Sequence, residues 1–188
     1  MLELIDLCRF SNFNYRFSQF KKLEILTQKA IANELREMNN ELVEVVAFCL
    51  MPTHIHLLLK QIQDEGVTKF MSKLLNSYSK FFNIQHKRSG PLWASEFKNV
   101  LVRTDEQLLH LTRYIHLNPT SASIVDNPED WEYSSYQEYL SPDAQGICCT
   151  EGLFNLKPKQ YKDFVDDRKS YQKELAIIKR QLIDNYTG

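Results

Sequence analysis

Two histidines placed two residues apart are the feature of this chain that most suggests chemistry. His54 and His56 lie in the apolar run 48–59. If this run is a strand, both imidazoles point to one face and the odd-numbered apolar residues Ile55, Leu57 and Leu59 to the other. Neutral imidazole is the commonest protein ligand of metal ions. The pattern indicates a divalent-cation site, and the alternative is a pair of strand histidines with ordinary hydrogen bonds.

A tyrosine and an asparagine form a second candidate pair. Tyr114 and Asn118 are four residues apart in a stretch whose apolar spacing predicts a helix, so they share a face. A phenol can act as a nucleophile, and a carboxamide oxygen can ligate a hard cation. The alternatives are a tyrosine that only packs and an asparagine that ends a helix before Pro119.

The elements that position these residues follow from hydrophobic periodicity and turn residues. The predicted strands are a weak one over 1–8, a hairpin over 42–50 and 54–61, and a short one near 100–102. The predicted helices cover about 17–38, 67–86 and 104–117, the last opened by a capping box at Thr104. This order predicts an α+β fold, a ferredoxin-like split βαβ sandwich with an antiparallel sheet and a C-terminal helical extension.

The same reading divides the chain into two parts. Residues 1–140 form the predicted main domain. Residues 141–188 are predicted to be a linker followed by an amphipathic helical tail, with the helix over about 161–183.

Composition places the chain among soluble globular proteins. Its 188 residues are 43% hydrophobic and 25% charged. It contains no apolar run near the roughly 20 residues that a membrane span needs. Its start also lacks the basic-then-apolar order of a signal peptide. Its four cysteines have neither zinc-site nor disulfide-framework spacing, so a cytoplasmic location and no membrane partner are expected.

The charge is unevenly distributed along the chain. The net charge is −1, but residues 60–103 contain eight basic and three acidic residues with aromatic residues between them. Basic residues interleaved with aromatic ones suit nucleic acid, because they can contact phosphates and stack on bases. A helix with a lysine-rich solvated face would have the same composition.

Four motifs in order resemble those of a known family. They are residues 49–59, 89–93 with 97–98, 113–119, and 128–131 with 134–136. On these motifs the chain resembles the IS200-like single-tyrosine (Y1, or HUH) transposases, and within them the REP-associated tyrosine transposases. The resemblance covers roughly residues 42–140, and the ordered set is far more specific than any one motif.

The resemblance implies a fold, a mechanism and a substrate. It implies the ferredoxin-like fold, with His54, His56 and Asn118 ligating Mg²⁺ or Mn²⁺ and Tyr114 as the nucleophile. Attack on single-stranded DNA would give a 5′-phosphotyrosine intermediate and a free 3′-hydroxyl. The implied substrate is DNA with a hairpin, bound by a monomer or a homodimer. Candidate DNA contacts are Lys69, Lys73, Lys80, Lys87, Arg88, Lys98 and Arg103.

Two features depart from the family pattern, and two other functions stay open. Thr53 stands where relatives commonly have asparagine, with little effect expected, and residues 1–16 lack the basic loop that precedes the first helix in relatives. One alternative is a domesticated or inactive protein that only binds DNA hairpins. The other is a metal phosphodiesterase with a water nucleophile, for which Tyr114 would be dispensable.

Overall fold

The chain consists of two compact units whose boundary passes through a β-hairpin. The computed structural model describes residues 1–94, 97–141, 146–150, 153 and 156–169. Unit 1 comprises residues 1–44 and 59–101, and unit 2 comprises residues 45–58 and 102–188.

The predicted hairpin is confirmed. Strand β1 spans Val43–Leu50 and strand β2 spans Ile55–Gln61, and together they form a two-stranded antiparallel sheet. The β-branched valines of β1 favour the extended backbone. The Met51 amide donates to the His54 carbonyl at 2.9 Å, which closes the turn between the strands.

The N-terminal segment is a helix, so the prediction of a strand there is wrong. Helix α1 spans Leu2–Cys8 and packs in unit 1 against helix α4, which spans Gly66–Gln85. Its buried residues recur at helical spacing and are Leu4, Ile5, Leu7 and Cys8. An apolar stripe that meets a second helix outweighs the short apolar–polar alternation at the start of the chain.

The first predicted helix is interrupted. Helix α2 spans only Phe17–Phe20, and helix α3 runs over Ile25–Glu37. A continuous helix would place Glu24 and Gln28 on the face that buries the two phenylalanines. The break keeps these polar side chains out of the core of unit 1.

The second predicted helix is confirmed as α4, and its first residue has to be glycine. A Cβ atom on Gly66 would lie 2.1 Å from the Leu42 carbonyl oxygen. No side chain fits in that space, so any other residue would push the start of α4 away from Leu42.

The mixed α/β class is confirmed, but the ferredoxin-like sandwich is not. Among the described residues, β1 and β2 are the only two strands of the predicted sheet that form. Residues 97–103 belong to no helix or strand, and Val100 and Leu101 are 89% and 73% exposed. The prediction of a strand near 100–102 is therefore wrong, because apolar β-branched composition makes no strand without a neighbour to bond.

In unit 2 the predicted start of the third helix is confirmed. Helix α5 spans Asp105–Ser121, and Thr104 Oγ1 accepts a hydrogen bond from the Gln107 amide at 3.1 Å. The acidic residues of the first turn also favour a helix N-terminus.

The predicted end of this helix is wrong, since α5 continues through Asn118 and Pro119 to Ser121. Proline removes the helical donor for the Ile115 carbonyl, at a cost of about 3 kcal/mol. Pro119 and Thr120 are both buried, so packing in unit 2 outweighs that cost. Asn118 is consequently part of the helix and not its stop.

The segment after α5 packs along β1. The Leu50 amide donates to the Tyr133 carbonyl at 2.8 Å, and the Ser135 amide donates to the Phe48 carbonyl at 3.0 Å. The remaining elements of unit 2 are a 3₁₀ turn at Pro128–Asp130 and the helices α6 at Tyr136–Leu140 and α7 at Pro158–Asp166. The buried core of unit 2 includes Val46, Ala47, Cys49, Met51, Leu58, Ile115, Leu117, Tyr136, Tyr139, Tyr161 and Val165.

Part of the predicted C-terminal tail is a helix packed in unit 2. Helix α7 begins three residues before the predicted helical range 161–183, overlaps it over residues 161–166 and contributes Tyr161 and Val165 to the core. Residues 170–188 and much of the predicted linker lie outside the described residues. The domain boundary after residue 140 stays a prediction.

Candidate active site

The hairpin turn brings the two predicted histidine ligands together. His54 immediately precedes β2 and His56 is its second residue. Their ring centroids are 4.8 Å apart and the rings are nearly perpendicular, at 89°. The even-numbered face is not purely polar, however, because Leu58 on the same side is only 7% exposed. His54 and His56 therefore lie near the turn, and Leu58, the next residue on the same face, is buried in the core of unit 2.

Helix α5 adds the tyrosine and the asparagine to the same place in unit 2. The ring centroids of His56 and Tyr114 are 5.8 Å apart, with an angle of 80° between the planes. The Asn118 side-chain Nδ2 donates to the Tyr114 carbonyl at 2.9 Å, as the predicted spacing of four residues allows. Tyr114 is 47% exposed, so its phenol is accessible to a large substrate.

His56 has the electronic state that a metal ligand needs. Burial, and then the neighbouring His54, lower the pKa of His56, while the Asn118 side chain acts in the opposite direction as a hydrogen-bond acceptor. The imidazole is therefore neutral at pH 7. Its Nε2 atom is buried and lacks a partner at hydrogen-bond geometry among the described residues. With the ring proton on Nδ1, this nitrogen has a lone pair that can bind a cation.

The other two candidate ligands each have one polar atom engaged and one available. Thr53 Oγ1 lies 3.1 Å from His54 Nδ1, which leaves His54 Nε2 as the nitrogen that can bind a cation. Asn118 donates from its amide nitrogen to the Tyr114 carbonyl, and its oxygen, the acceptor toward His56, is the atom that can ligate a cation. Two imidazole nitrogens and one amide oxygen with further positions open fit Mn²⁺ or Mg²⁺. Thr53 therefore has a contact at the site that the sequence did not reveal.

A cluster built only from carboxylates, thiols and imidazoles is excluded for the described part of the chain. No three His, Cys, Asp or Glu side chains converge there in a way that could hold a metal ion. A third protein ligand beside the two histidines would have to be of another type, and Asn118 is the predicted candidate.

A fully buried histidine, His116, lies on the opposite face of α5 and is a residue that the sequence analysis missed. His116 Nδ1 lies 2.7 Å from the Tyr161 hydroxyl, and its Nε2 lies 2.8 Å from Ser135 Oγ. Burial lowers the pKa of His116 to about 3, so this imidazole is neutral. Its partners come from segments far along the chain, and spacing on the helix could not predict them.

The basic residues predicted to contact DNA differ in what their charged groups already bind. Lys73 Nζ donates to the carbonyls of Phe10 and Ser11 at 3.0 and 3.1 Å, and burial lowers its pKa. The Lys73 ammonium group therefore stabilises unit 1. Because it is already hydrogen-bonded to two carbonyls, it is poorly suited to bind a DNA phosphate.

Most of the other candidates are more accessible. Lys69 donates to the Asp64 carbonyl, and Arg88 donates to the Pro91 carbonyl and lies over the Phe82 ring. The side chains of four further candidates are exposed, namely Lys80, Lys87, Lys98 and Arg103. Arg103 belongs to unit 2 and the other candidates to unit 1. Their role in DNA binding stays a prediction.

Within the part of the chain that the structure describes, no helix combines the length and apolarity needed to cross a membrane.

Comparison with known proteins identifies the family. The sequence profile of the IS200-like transposases matches residues 11–118. A Haemophilus influenzae protein, provisionally named a REP-associated tyrosine transposase, is 32% identical over 103 residues. That alignment covers 50% of this chain and 58% of the relative, so the chain spans less than two thirds of the relative's length. No solved structure matches the chain. Because the profile match covers more than half of its 188 residues and includes all four residues of the candidate site, the chain belongs to the family of IS200-like transposases.

Proposed function

We propose that this protein cleaves and rejoins single-stranded DNA in a metal-dependent reaction, through a covalent 5′-phosphotyrosine at Tyr114, at sites flanked by hairpins. Membership of the family supports DNA transposition as the general activity. We further propose the metal, the covalent intermediate and the hairpin substrate. The arrangement of the candidate residues in unit 2 supports the metal and the intermediate, and the basic segment of unit 1 supports the nucleic-acid substrate.

One observation carries the proposal. The accessible phenol of Tyr114 stands edge-on to His56, at a centroid distance of 5.8 Å, and His56 has a buried nitrogen without a partner among the described residues. Nucleophilic catalysis requires such a group beside the means of stabilising charge on the substrate. A tyrosine that served only to pack would be expected in the core and not at 47% exposure.

The three candidate ligands would bind the cation through different atoms. His54 and His56 would each present Nε2, and Asn118 its carboxamide oxygen, to Mg²⁺ or Mn²⁺. The chemistry that such a cation supplies when bound is polarisation of a phosphate and neutralisation of charge on its oxygens. The burial of His56 keeps the imidazole neutral, so no proton has to be displaced from it near pH 7.

The covalent step exchanges one phosphodiester bond for another. The Tyr114 phenol oxygen attacks phosphorus and loses its proton, forming the tyrosine–phosphate bond. The bond from phosphorus to the 3′-oxygen breaks, and that oxygen takes up a proton to give a 3′-hydroxyl. In the reverse direction a DNA 3′-hydroxyl attacks the phosphotyrosine and releases Tyr114. Strands can be joined in this way without a nucleotide cofactor.

The basic segment of unit 1 supports a nucleic-acid substrate. Residues 66–94 contain five lysines and arginines and no aspartate or glutamate. Aromatic rings lie among these charges, with Phe82 against His86 at 4.2 Å and Tyr78 against Trp93 at 6.0 Å. Such a surface attracts phosphates and offers rings for stacking. Lys80 and Lys87 are the exposed lysines of this segment that are best suited to contact the phosphate backbone of DNA.

The test is a cleavage reaction on labelled single-stranded DNA taken from the flanks of the gene and carrying its hairpin. Wild-type protein with Mn²⁺ is expected to give a shorter DNA product and a protein band shifted by covalent DNA on a denaturing gel. Omission of the metal, or the substitution Tyr114→Phe, is expected to abolish both. Cleavage by Tyr114→Phe would instead show a water nucleophile. Tight hairpin binding without cleavage would show a protein that only binds DNA.

A further inference from the structure

A buried hydrogen-bonded chain connects α7, α5 and β1 beneath the candidate active site. The Tyr161 hydroxyl meets His116 Nδ1 at 2.7 Å, and His116 Nε2 meets Ser135 Oγ at 2.8 Å. Ser135 Oγ also accepts from the Phe48 amide at 2.9 Å and lies 3.2 Å from the Phe48 carbonyl oxygen. All four residues belong to unit 2.

The bonds at Ser135 allow two proton arrangements along the chain, because a hydroxyl has one proton and two lone pairs. When the Ser135 proton goes to the Phe48 carbonyl, His116 donates from Nε2 and its Nδ1 accepts from the Tyr161 hydroxyl. When the Ser135 proton goes to His116 Nε2, His116 donates from Nδ1 to the Tyr161 oxygen. In both arrangements Tyr161 and Ser135 are the hydrogen-bond partners of the two ring nitrogens.

This chain of bonds lies where it can set the position of α5. His116 is two residues from both Tyr114 and Asn118, and side chains two apart point to opposite sides of a helix. The hydrogen bonds of His116 thus hold α5 on the side opposite Tyr114. Through Ser135 they connect α5 to Phe48 of β1, the strand that precedes the turn with His54. Apolar contacts alone would allow the helix to slide or rotate, whereas a hydrogen bond specifies one register.

Tyr161 lies outside the residues that match the family profile. The match covers residues 11–118, whereas Tyr161 is on α7. Its side chain is 2% exposed and its ring also contacts Tyr139 at 4.8 Å. The helix after the matched region therefore reaches the residue between Tyr114 and Asn118.

We propose that Tyr161 is a positioning residue for the reaction, which acts through His116 to hold Tyr114 against His56. The inference rests on the proposed function for its catalytic consequence, but the geometric part stands independently of it. Helix α7 is then an integral part of the active unit, and its loss or displacement would disturb the nucleophile.

The test compares two tyrosine-to-phenylalanine variants of the same core. Tyr161→Phe removes the hydroxyl that is hydrogen-bonded to His116 and keeps the ring. Tyr139→Phe is the matched control, since the Tyr139 hydroxyl donates to the Val46 carbonyl at 2.7 Å and its ring also contacts His116, at 4.8 Å. Both variants lose one buried hydroxyl bond to a neighbouring element, but only Tyr161→Phe frees α5. Ser135→Ala breaks the other end of the chain and serves as a second variant.

Two measurements are made on each protein. The first is the nuclear Overhauser effect between ring protons of Tyr114 and His56 in metal-free protein. The second is the rate of covalent adduct formation with saturating hairpin DNA and Mn²⁺, with the dissociation constant for DNA measured separately. In Tyr161→Phe and Ser135→Ala, the ring contact is expected to be lost and the rate to fall about tenfold or more, with DNA affinity unchanged within about twofold. Tyr139→Phe should keep both.

The outcomes separate this inference from the proposed function. Absence of an adduct in the wild type would refute the proposed function, while the ring contacts would still decide whether Tyr161 positions Tyr114. An unchanged ring contact in Tyr161→Phe, or equal losses in Tyr139→Phe, would overturn the inference. Selective loss of the contact and of the rate in Tyr161→Phe and Ser135→Ala would support it.

Discussion

The imidazole of His56 stands nearly perpendicular to the phenol ring of Tyr114, with the ring centroids 5.8 Å apart. One residue comes from a β-hairpin and the other from the middle of α5, and both belong to unit 2. The pair joins a candidate metal ligand to a candidate nucleophile. It is the part of the molecule from which the proposed chemistry is most directly derived.

Metal binding is expected to depend on His56 and Asn118. Replacing His56 by alanine removes the buried Nε2, and replacing Asn118 by alanine removes the available carboxamide oxygen. Since even residues that only orient ligands change metal affinity by about 10–100-fold, each substitution is expected to weaken Mn²⁺ binding by more than about tenfold. Isothermal titration with Mn²⁺ measures the affinity.

His86→Ala is the control for that experiment. His86 is an exposed histidine of unit 1, whereas the candidate ligands belong to unit 2. Its removal should leave the Mn²⁺ affinity unchanged. Equal losses in His86→Ala and His56→Ala would mean that the measured binding is adventitious.

Thr53 is expected to matter more than its place in a turn suggests. Its hydroxyl oxygen, 3.1 Å from His54 Nδ1, can accept the proton of that nitrogen and so leave Nε2 for a cation. Thr53→Val keeps the shape but removes the acceptor, and a loss of about tenfold in Mn²⁺ affinity is expected. Thr53→Ser should retain most of the affinity. If valine binds Mn²⁺ as well as threonine does, the hydroxyl has no part in orienting His54.

Stability should fall in acid because of His116. The pKa of this imidazole is about 3 in the folded protein and about 6.5 when exposed. The folded state binds fewer protons, so its stability is fully present above pH 6.5 and decreases as the pH falls from 6.5 towards 3. Between pH 7 and pH 5 His116 alone is expected to cost about 2 kcal/mol of the free energy of unfolding.

Urea unfolding at the two pH values measures that loss, and His116→Gln should show a smaller difference between them. The ring resonances of His116 should stay those of a neutral imidazole at pH 5. A His116 resonance that titrates with a midpoint near 6.5 would contradict the buried, neutral assignment.

Lys73 and Lys80 are expected to respond in opposite ways to the same substitution. Lys73→Met leaves the carbonyls of Phe10 and Ser11 without their donor and should cost about 1–3 kcal/mol of stability. Lys80→Met should leave stability unchanged, weaken hairpin binding and lower the slope of log affinity against log salt by about 1. Unfolding curves and salt-dependent binding measure the two effects. A reduced slope of log affinity against log salt in Lys73→Met would show that Lys73 contacts DNA after all.

The local parts of this structure could be predicted from the sequence. The hairpin, helix α4 and the start of α5 have strong local signals, namely valine-rich strands, an apolar stripe and the Thr104 cap. The spacing of Tyr114 and Asn118 on one helix was enough to place them together. Their approach to the histidines could not be derived from spacing and was expected only from the resemblance to a family.

The errors arose where tertiary contacts decide. The alternation at the N-terminus is weak, and packing on α4 selects a helix instead. Residues 100–102 have strand-like composition but no strand beside them among the described residues. Burial of Pro119 carries α5 past its predicted end. The bond from Tyr161 to His116 joins residues 45 positions apart, a distance at which no local pattern has any information.

The central claim is that Tyr114 forms the covalent link to DNA, and mass spectrometry of the protein–DNA adduct tests it most directly. The protein is incubated with hairpin DNA and Mn²⁺, digested with nuclease and protease, and fragmented to locate the nucleotide. The account predicts a phosphodiester-linked nucleotide on Tyr114 and its absence in Tyr114→Phe. DNA cleavage with the nucleotide on another residue, or with no adduct, would contradict it.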